Sequence, residues 1–305
     1  MLRRAAVAGH FYQGTSEALK SQVAGYLIPD AEKVRALGIL SPHAGFMYSG
    51  SVAGAVYSSI ELPRTFVLIG PNHTGLGEAV SLMASGHWET PLGRISIDEP
   101  LAASILSKSP RIHKDTLAHL REHSLEVQLP FIQYLCPEAS IVPIQMLDTR
   151  LETCIEVGKA VAGAIADYKP EEKTANAECT SKIRNPQSAI RNVLIVASSD
   201  MSHYEPAEVA RKKDHLAIDR ILDLDPEGLY GTIKNNHITM CGYGPAVAMI
   251  VACKALGATR AALIKYSNSG EVSGDYDQVV GYAGMVIVCN TLHTLEPSPP
   301  IITHK

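Results

Sequence analysis

Three apolar runs in this chain each end in a short polar loop that carries a histidine. Residues 36–40 lead into Ser-Pro-His43-Ala-Gly, residues 66–69 into Gly-Pro-Asn-His73-Thr-Gly, and residues 193–197 into Ser-Ser-Asp200-Met-Ser-His203-Tyr. Imidazole is the commonest protein metal ligand, so a metal centre is the first chemistry to consider. His43 and His73 each follow a proline and precede a glycine, turn chemistry that holds a side chain on a stiff backbone. One strand-end histidine is ordinarily a hydrogen-bonded structural residue. Two matched ones make a prospective ligand pair.

Cys241, in Met-Cys-Gly-Tyr-Gly-Pro at the start of a helical segment, is the candidate third ligand. A helix N-terminus lowers a thiol pKa, and the thiolate is the form that binds metal. The plainer alternative is a small buried residue at a helix cap. Asp200 and His203 offer a carboxylate and an imidazole three residues apart, suited to ligation or to moving protons. Against that, Asp200 or Ser202 is expected as a cap for a helix beginning near Glu205. In Arg121-Glu-His123-Ser-Leu-Glu-Val-Gln128, His123 lies at a helix start where it could face the same crevice, and Ser124 is a lone capping candidate. Glu126 and Gln128 read either as partners that orient a ligating imidazole or, more simply, as the solvated face of the helix. His10, His87, His113, His119, His215, His237 and His293 lack the strand-end setting and read as surface or structural.

The elements that must position these groups alternate. Buried strands are predicted at about 36–41, 65–70, 140–146 and 193–198, with shorter ones near 79–84 and 94–97 and closing strands at 260–266 and 281–289. Helices are predicted at 15–28, 51–60, 98–107, 124–135 (kinked by Pro130), 151–168, 205–223, 226–235 and 244–256. That alternation predicts an α/β fold: a three-layer α/β/α sandwich with a mainly parallel or mixed central sheet. Such sheets bind ligands outside the carboxyl ends of their strands, where the histidines lie. One domain spans 1–295. Residues 169–192 read as an exposed insertion and 296–305 as a disordered Pro-rich tail.

Composition narrows the classes. The 305 residues are 46% hydrophobic and 19% charged with a net charge of -4, which argues against nucleic-acid or polybasic membrane-surface binding. No apolar run reaches the roughly 20 residues of a membrane span. The start, Met-Leu-Arg-Arg-Ala-Ala-Val-Ala-Gly-His, has too short an apolar stretch for a signal peptide, so a cytoplasmic location is expected. The six cysteines form no Cys-x-x-Cys pair and suggest no disulfide framework; Cys154, Cys253 and Cys289 read as buried packing residues. Gly70-Pro-Asn-His-Thr-Gly lacks the lysine of a phosphate loop, and no Gly-x-Ser-x-Gly elbow is present.

As an ordered set the motifs become specific: Arg4-Ala-Ala-Val-Ala-Gly-His-Phe-Tyr, Pro42-His-Ala-Gly-Phe-Met-Tyr-Ser-Gly, Gly70-Pro-Asn-His-Thr-Gly, Glu122-His-Ser-Leu-Glu-Val-Gln-Leu-Pro-Phe, Ser198-Ser-Asp-Met-Ser-His-Tyr, Cys241-Gly and Gly281-Tyr-Ala-Gly. This set closely resembles the Memo family, whose prokaryotic members are called AmmeMemoRadiSam system protein B, from Arg4 to about Asn290. The resemblance implies a fold like that of the class III extradiol dioxygenases, which are non-haem Fe(II) enzymes. It implies His43 and His73 as metal ligands, with Cys241 where the dioxygenases carry a glutamate. It further implies His203 as the acid/base histidine, with His123 and Asp200 lining the same cavity. A radical-SAM partner protein and phosphotyrosine-peptide binding are linked to family members. The thiolate softens the ligand set, so that Cu or Zn suits it as well as Fe(II).

Three readings follow. The first is a dioxygenase-like oxidoreductase acting on a small molecule or peptide, with Fe(II) ahead of Cu. The second is a non-catalytic module that binds a phosphotyrosine or carboxylate peptide through histidines and the backbone N–H groups near Gly70 and Gly75. The third is a zinc hydrolase with His203 or Asp200 as base.

Overall fold

The computed structural model describes residues 1–169 and 192–289. The expected insertion, all but its two end residues, and the tail therefore lie outside the described residues. In chain order the elements are β1 (Leu2–Arg3), α1 (Ser16–Tyr26), β2 (Ala36–Ser41), α2 (Phe46–Ser58), β3 (Thr65–Pro71), β4 (Val80–Leu82), β5 (His87–Thr90), β6 (Gly93–Ile97), α3 (Glu99–Lys108), β7 (His113–Lys114), α4 (Leu129–Leu135), β8 (Ser140–Met146), α5 (Leu151–Asp167), β9 (Val193–Ser198), β10 (His203–Glu205), α6 (Ala207–Leu222), α7 (Pro226–Asn235), α8 (Tyr243–Ala255), β11 (Arg260–Asn268), α9 (Gly270–Ser273) and β12 (Val279–Val288).

The strands pair into one mixed sheet whose main path is β1-β5-β6-β8-β3-β9-β2-β12-β10. From β6 to β2 the pairings are parallel, and β12 joins β2 antiparallel. Every residue of β2, β3 and β9 is buried, as unbroken apolar strands covered on both faces must be. Val52 and Val56 of α2 lie over Gly284 on one face, and Met249 and Cys253 of α8 lie over Gly38 on the other. The three-layer sandwich is therefore as predicted. Helix α2 is rich in small residues because α1 ends against it: a Cβ on Gly54 would stand 2.2 Å from the Tyr26 carbonyl oxygen.

Local chemistry explains where the sequence reading and the structure part. Pro130 sits in the first turn of α4, where a missing N–H costs nothing, so it starts that helix instead of kinking it. Residues 126–128 ahead of it form a separate 3-10 turn. The helix expected from 205 begins at Ala207, because the strand β10 occupies 203–205 and Pro206 precedes the helix. Neither Asp200 nor Ser202 caps it. Cys154 and Cys253 are buried as expected, but Cys289 is exposed at the end of β12. His119 is fully buried against Trp88, and burial lowers its pKa to about 4.

The largest departure concerns Glu126, which is not on a solvated face. It is fully buried and paired with the equally buried Arg3. Its carboxylate also accepts from the Ala6 and Val7 amides at 2.8 and 3.0 Å and from the Tyr12 hydroxyl at 2.5 Å. Arg3 in turn donates to the carbonyls of His119 (2.9 Å) and Glu122 (2.6 Å) and lies 4.3 Å over the Trp88 ring. Gln128 is buried as well. One carboxylate thus stitches the N-terminal segment to the 117–128 stretch. Replacing Glu126 by Gln leaves a buried guanidinium without its counter-charge and should cost about 3–5 kcal/mol in urea unfolding. A loss under about 1 kcal/mol would show that the pair carries no such burden.

Candidate metal centre

The register of three adjacent strands assembles the site. Ser41 of β2 pairs with Ser198 of β9, and Ile69 of β3 pairs with Ala197. The three strands therefore end almost level, and the loops after them open on the same edge. His43 and His73 emerge there, their ring centroids 5.3 Å apart. Cys241 arrives from the far side of the chain, just before α8, with Sγ 3.3 Å from His43 Nε2. The ligand atoms of His43, His73 and Cys241 all lie within 4.8 Å of one another. The sequence placed these three together, and the fold does so.

Close backbone contact fixes the cysteine. A Cβ on Gly242 would stand 2.3 Å from the Ser198 carbonyl oxygen and 2.5 Å from Ser199 Cβ, so only glycine lets this turn lie against the end of β9. The Gly242 amide donates to Ser199 Oγ at 2.9 Å, and the Asp200 amide reaches Cys241 Sγ at 3.3 Å. The expected lowering of the thiol pKa does not hold. Burial pushes it up, and the Asp200 charge pushes it further in that direction. Cys241 stands outside the helix, before the capping residue Gly242, so the helix start does not offset its loss of water. A divalent metal bound here would supply the positive charge that favours the thiolate.

Each imidazole is held through its Nδ1. His43 Nδ1 lies 2.9 Å from Ser198 Oγ, and its backbone amide donates to Asp200 Oδ1 at 2.8 Å. Burial, then the charges of His123, His73 and His203, hold the His43 pKa well below the usual value. His73 Nδ1 lies 3.0 Å from Glu122 Oε1, and its amide donates to Oε2 at 2.5 Å. Sequence reasoning missed Glu122. The acidic residue just before His123 was its only signal, and nothing local said that it would turn inward.

Glu122 also accepts from the amides of His123 and Ser124, both at 2.9 Å. These contacts occupy the carboxylate, so we assign it to orienting His73, although His73, Glu122 and His123 also form a group of metal-ligand size. Ser124 does not cap a helix; its hydroxyl donates to the Pro71 carbonyl at 2.9 Å and ties this stretch to the end of β3.

Two of the predicted proton-handling residues, His123 and Asp200, touch this group of side chains. The His123 ring stacks on His73 at 4.9 Å, lies 5.5 Å from His43 and touches Phe11 at 4.8 Å. Burial lowers its pKa, against the opposing charge of Glu122. Asp200 is buried, which raises its pKa although the His43 amide hydrogen bond opposes the shift. His203 lies near enough for its charge to act on both His43 and Asp200. Its Nδ1 is 2.9 Å from the Thr239 carbonyl. The loop between Asp200 and His203 is anchored by the Ser202 amide, which donates to the buried carboxylate of Asp214 at 2.8 Å. The Gly75 amide, one proposed anion binder, is committed to Asn72 Oδ1 at 3.2 Å.

Fold and site together define a three-layer α/β protein with a candidate two-His-one-Cys metal centre at the carboxyl edge of its sheet. A family model described as Memo-like protein matches residues 3–286. A MEMO1 family protein of Methanothermobacter thermautotrophicus is 42% identical over 295 residues, covering 93% of this chain and 99% of the relative. One from Aquifex aeolicus is 42% identical over 291 residues, covering 94% and 99%. The chain belongs to the Memo family. In fold it is similar to an uncharacterized protein from Escherichia coli K12, with a TM-score of 0.51 at 11% identity over 82% of this chain and 98% of that one. Among the described residues no helix is long and apolar enough to cross a membrane.

Burial alone would raise the Glu122 pKa, but the hydrogen bond and charge of His73 and the Ser124 amide bring it down from 4.5 to about 2. The folded pKa lies below the unfolded one, so the stabilisation is complete above 4.5 and disappears as the pH falls through about 2. Urea unfolding of the metal-free protein at pH 6 and pH 3 should show Glu122→Gln removing about 2 kcal/mol of the pH dependence. An unchanged pH dependence would place the acid-labile interaction elsewhere.

Proposed function

We propose that the chain binds a redox-active divalent metal through His43, His73 and Cys241 and acts as a dioxygenase-like oxidoreductase, with Fe(II) the first choice of metal and copper the second. The observation that carries this reading is the convergence of two imidazoles and one thiol within 4.8 Å at adjoining strand ends. The donor set fits a metal chemically: both rings are pinned at Nδ1, and the third donor is a thiol that a cation would ionise. A metal held there supplies a place where dioxygen and a small-molecule or peptide substrate are activated together.

The chain's own residues would then manage protons. The Thr239 carbonyl can only accept, so His203 carries its proton on Nδ1 and keeps Nε2 as a base. Asp200, buried with Oδ1 on the His43 amide, would place a carboxyl group for proton exchange beside that ring. His123, stacked on His73, would meet a ligand entering the cleft and exchange a proton with it. The second reading, an anion-binding module, is weakened by the commitment of the Gly75 amide to Asn72.

The test is metal analysis of protein purified anaerobically without added metal. We expect one iron or copper per chain in the wild type and loss of most of it in His43→Ala, His73→Ala and Cys241→Ala. His203→Gln should retain the metal and lower any oxygen-dependent turnover by about 10²–10⁴-fold. Stoichiometric zinc with oxygen-independent hydrolysis would replace this reading with a hydrolase. Unchanged metal content in the two histidine variants would end it.

A further inference from the structure

The hydrogen bonds around Ser198 determine the tautomer of His43. A serine hydroxyl has one proton and two acceptor positions. Ser198 Oγ lies 2.6 Å from the Ser124 carbonyl, which can only accept, so the hydroxyl proton is committed there. Gln128 Nε2 lies 2.9 Å from the Pro42 carbonyl, also an acceptor only, which fixes the amide with its NH₂ on that side. That same NH₂ donates to Ser198 Oγ at 2.9 Å, while Gln128 Oε1 accepts from the Tyr57 hydroxyl at 3.1 Å. The third neighbour of Ser198 Oγ is His43 Nδ1 at 2.9 Å. With the proton spent and one acceptor position filled, Ser198 can only accept from that ring nitrogen.

We infer that Ser198, held by Gln128 and Ser124, is a positioning residue that locks His43 as the Nδ1–H tautomer before any metal arrives, leaving the Nε2 lone pair toward Cys241. Glu122 does the same for His73 by a different device, because a carboxylate can only accept from Nδ1–H. The two rings are then held by different partners: His73 leans on a carboxylate, whereas His43 leans on a neutral hydroxyl. The lock on His43 draws on β2, β9, α2 and the turn before α4, so four separate parts of the chain agree on one proton position. None of the four residues Ser198, Gln128, Ser124 and Tyr57 is a candidate ligand.

The inference rests on the proposed metal reading for its purpose, but its test does not use metal. Long-range ¹H–¹⁵N correlation of the metal-free protein, with His43 assigned through His43→Gln, reports which ring nitrogen carries the proton. The wild type should show His43 only as the Nδ1–H form, at a pH where the ring is neutral. Ser198→Ala should release the ring, so that the Nε2–H form becomes visible, while Ser198→Thr should restore the single form. Metal affinity should fall about tenfold in Ser198→Ala, and further in Glu122→Gln. A wild-type His43 carrying its proton on Nε2 would overturn the inference, and so would a Ser198→Ala spectrum that keeps the pure Nδ1–H form. Should Ser198→Ala not fold, the wild-type spectrum decides alone. A correct tautomer in a protein that takes up no metal would sink the proposed function and leave the lock standing.

Discussion

The parallel register of β3, β9 and β2 is the constraint on which the rest depends. Because Ser41 lies opposite Ser198 and Ile69 opposite Ala197, the turns carrying His43, His73 and Asp200 begin at nearly one level. Side chains alternate faces along a strand, so a one-residue slip would turn every inward group of that strand outward. All three strands are buried on both faces, and a slip would also misalign their covered surfaces with α2 and α8. The apolar packing that stabilises the sheet and the convergence of the ligands are therefore one requirement.

Beneath the histidines lies a polar layer that a hydrophobic core would ordinarily exclude. Glu122, Glu126, Gln128, Ser124 and Ser198 are all fully buried. Burying such groups is tolerable only when their hydrogen bonds are made, and these are made chiefly to backbone amides and carbonyls of the site loops. Two adjacent carboxylates divide the task. Glu126 secures the N-terminal segment that brings Phe11 against His123, and Glu122 secures the His73 loop. Arg3 joins the two, pairing with the first and donating to the carbonyl of the second.

Strand-end histidines were legible in the sequence because apolar runs and Pro/Gly turns are local signals. The same holds for the parallel strands and most helices. The partners of the ligands were hardly legible: Gln128 stood only as one of two readings, and Glu122 and Ser198 were not singled out. Glu122, Gln128 and Ser198 are polar residues whose inward orientation is decided by contacts with β2, β3 and the N-terminal segment, far away in sequence. The simpler reading of Glu126, a solvated helix face, fails because local spacing cannot register that Arg3 waits on the other side. Pro130 looked like a kink inside one long helix, since the 3-10 turn at 126–128 leaves no mark in apolar spacing. Position alone also misjudged the Cys241 thiol. The proximity of a helix start was visible, whereas the burial that outweighs it depends on the end of β9.

Exposure within the centre is one-sided, and this sets how it can work. His43 is 2% exposed and sits with the cysteine sulphur on the inner side, while the side chains of His73 and His123 are 35% and 24% exposed. A ligand that comes in past the stacked pair of His73 and His123 meets the buried His43 and the half-buried Cys241 behind them. That division suits the two orienting devices. The outer ring, open to solvent and to competing partners, is held by a carboxylate, whose hydrogen bond is charge-assisted and survives partial hydration. The inner ring is held by a neutral hydroxyl, which suffices where no water competes and which brings no further negative charge toward a sulphur that would become anionic as a metal ligand. In the proposed reading, a carboxylate at the Ser198 position would raise the cost of forming the thiolate, as Asp200 already does from the other side. The neutral serine at the end of β9 thus suits an anionic third donor beside His43, whether that donor is a thiolate or a carboxylate.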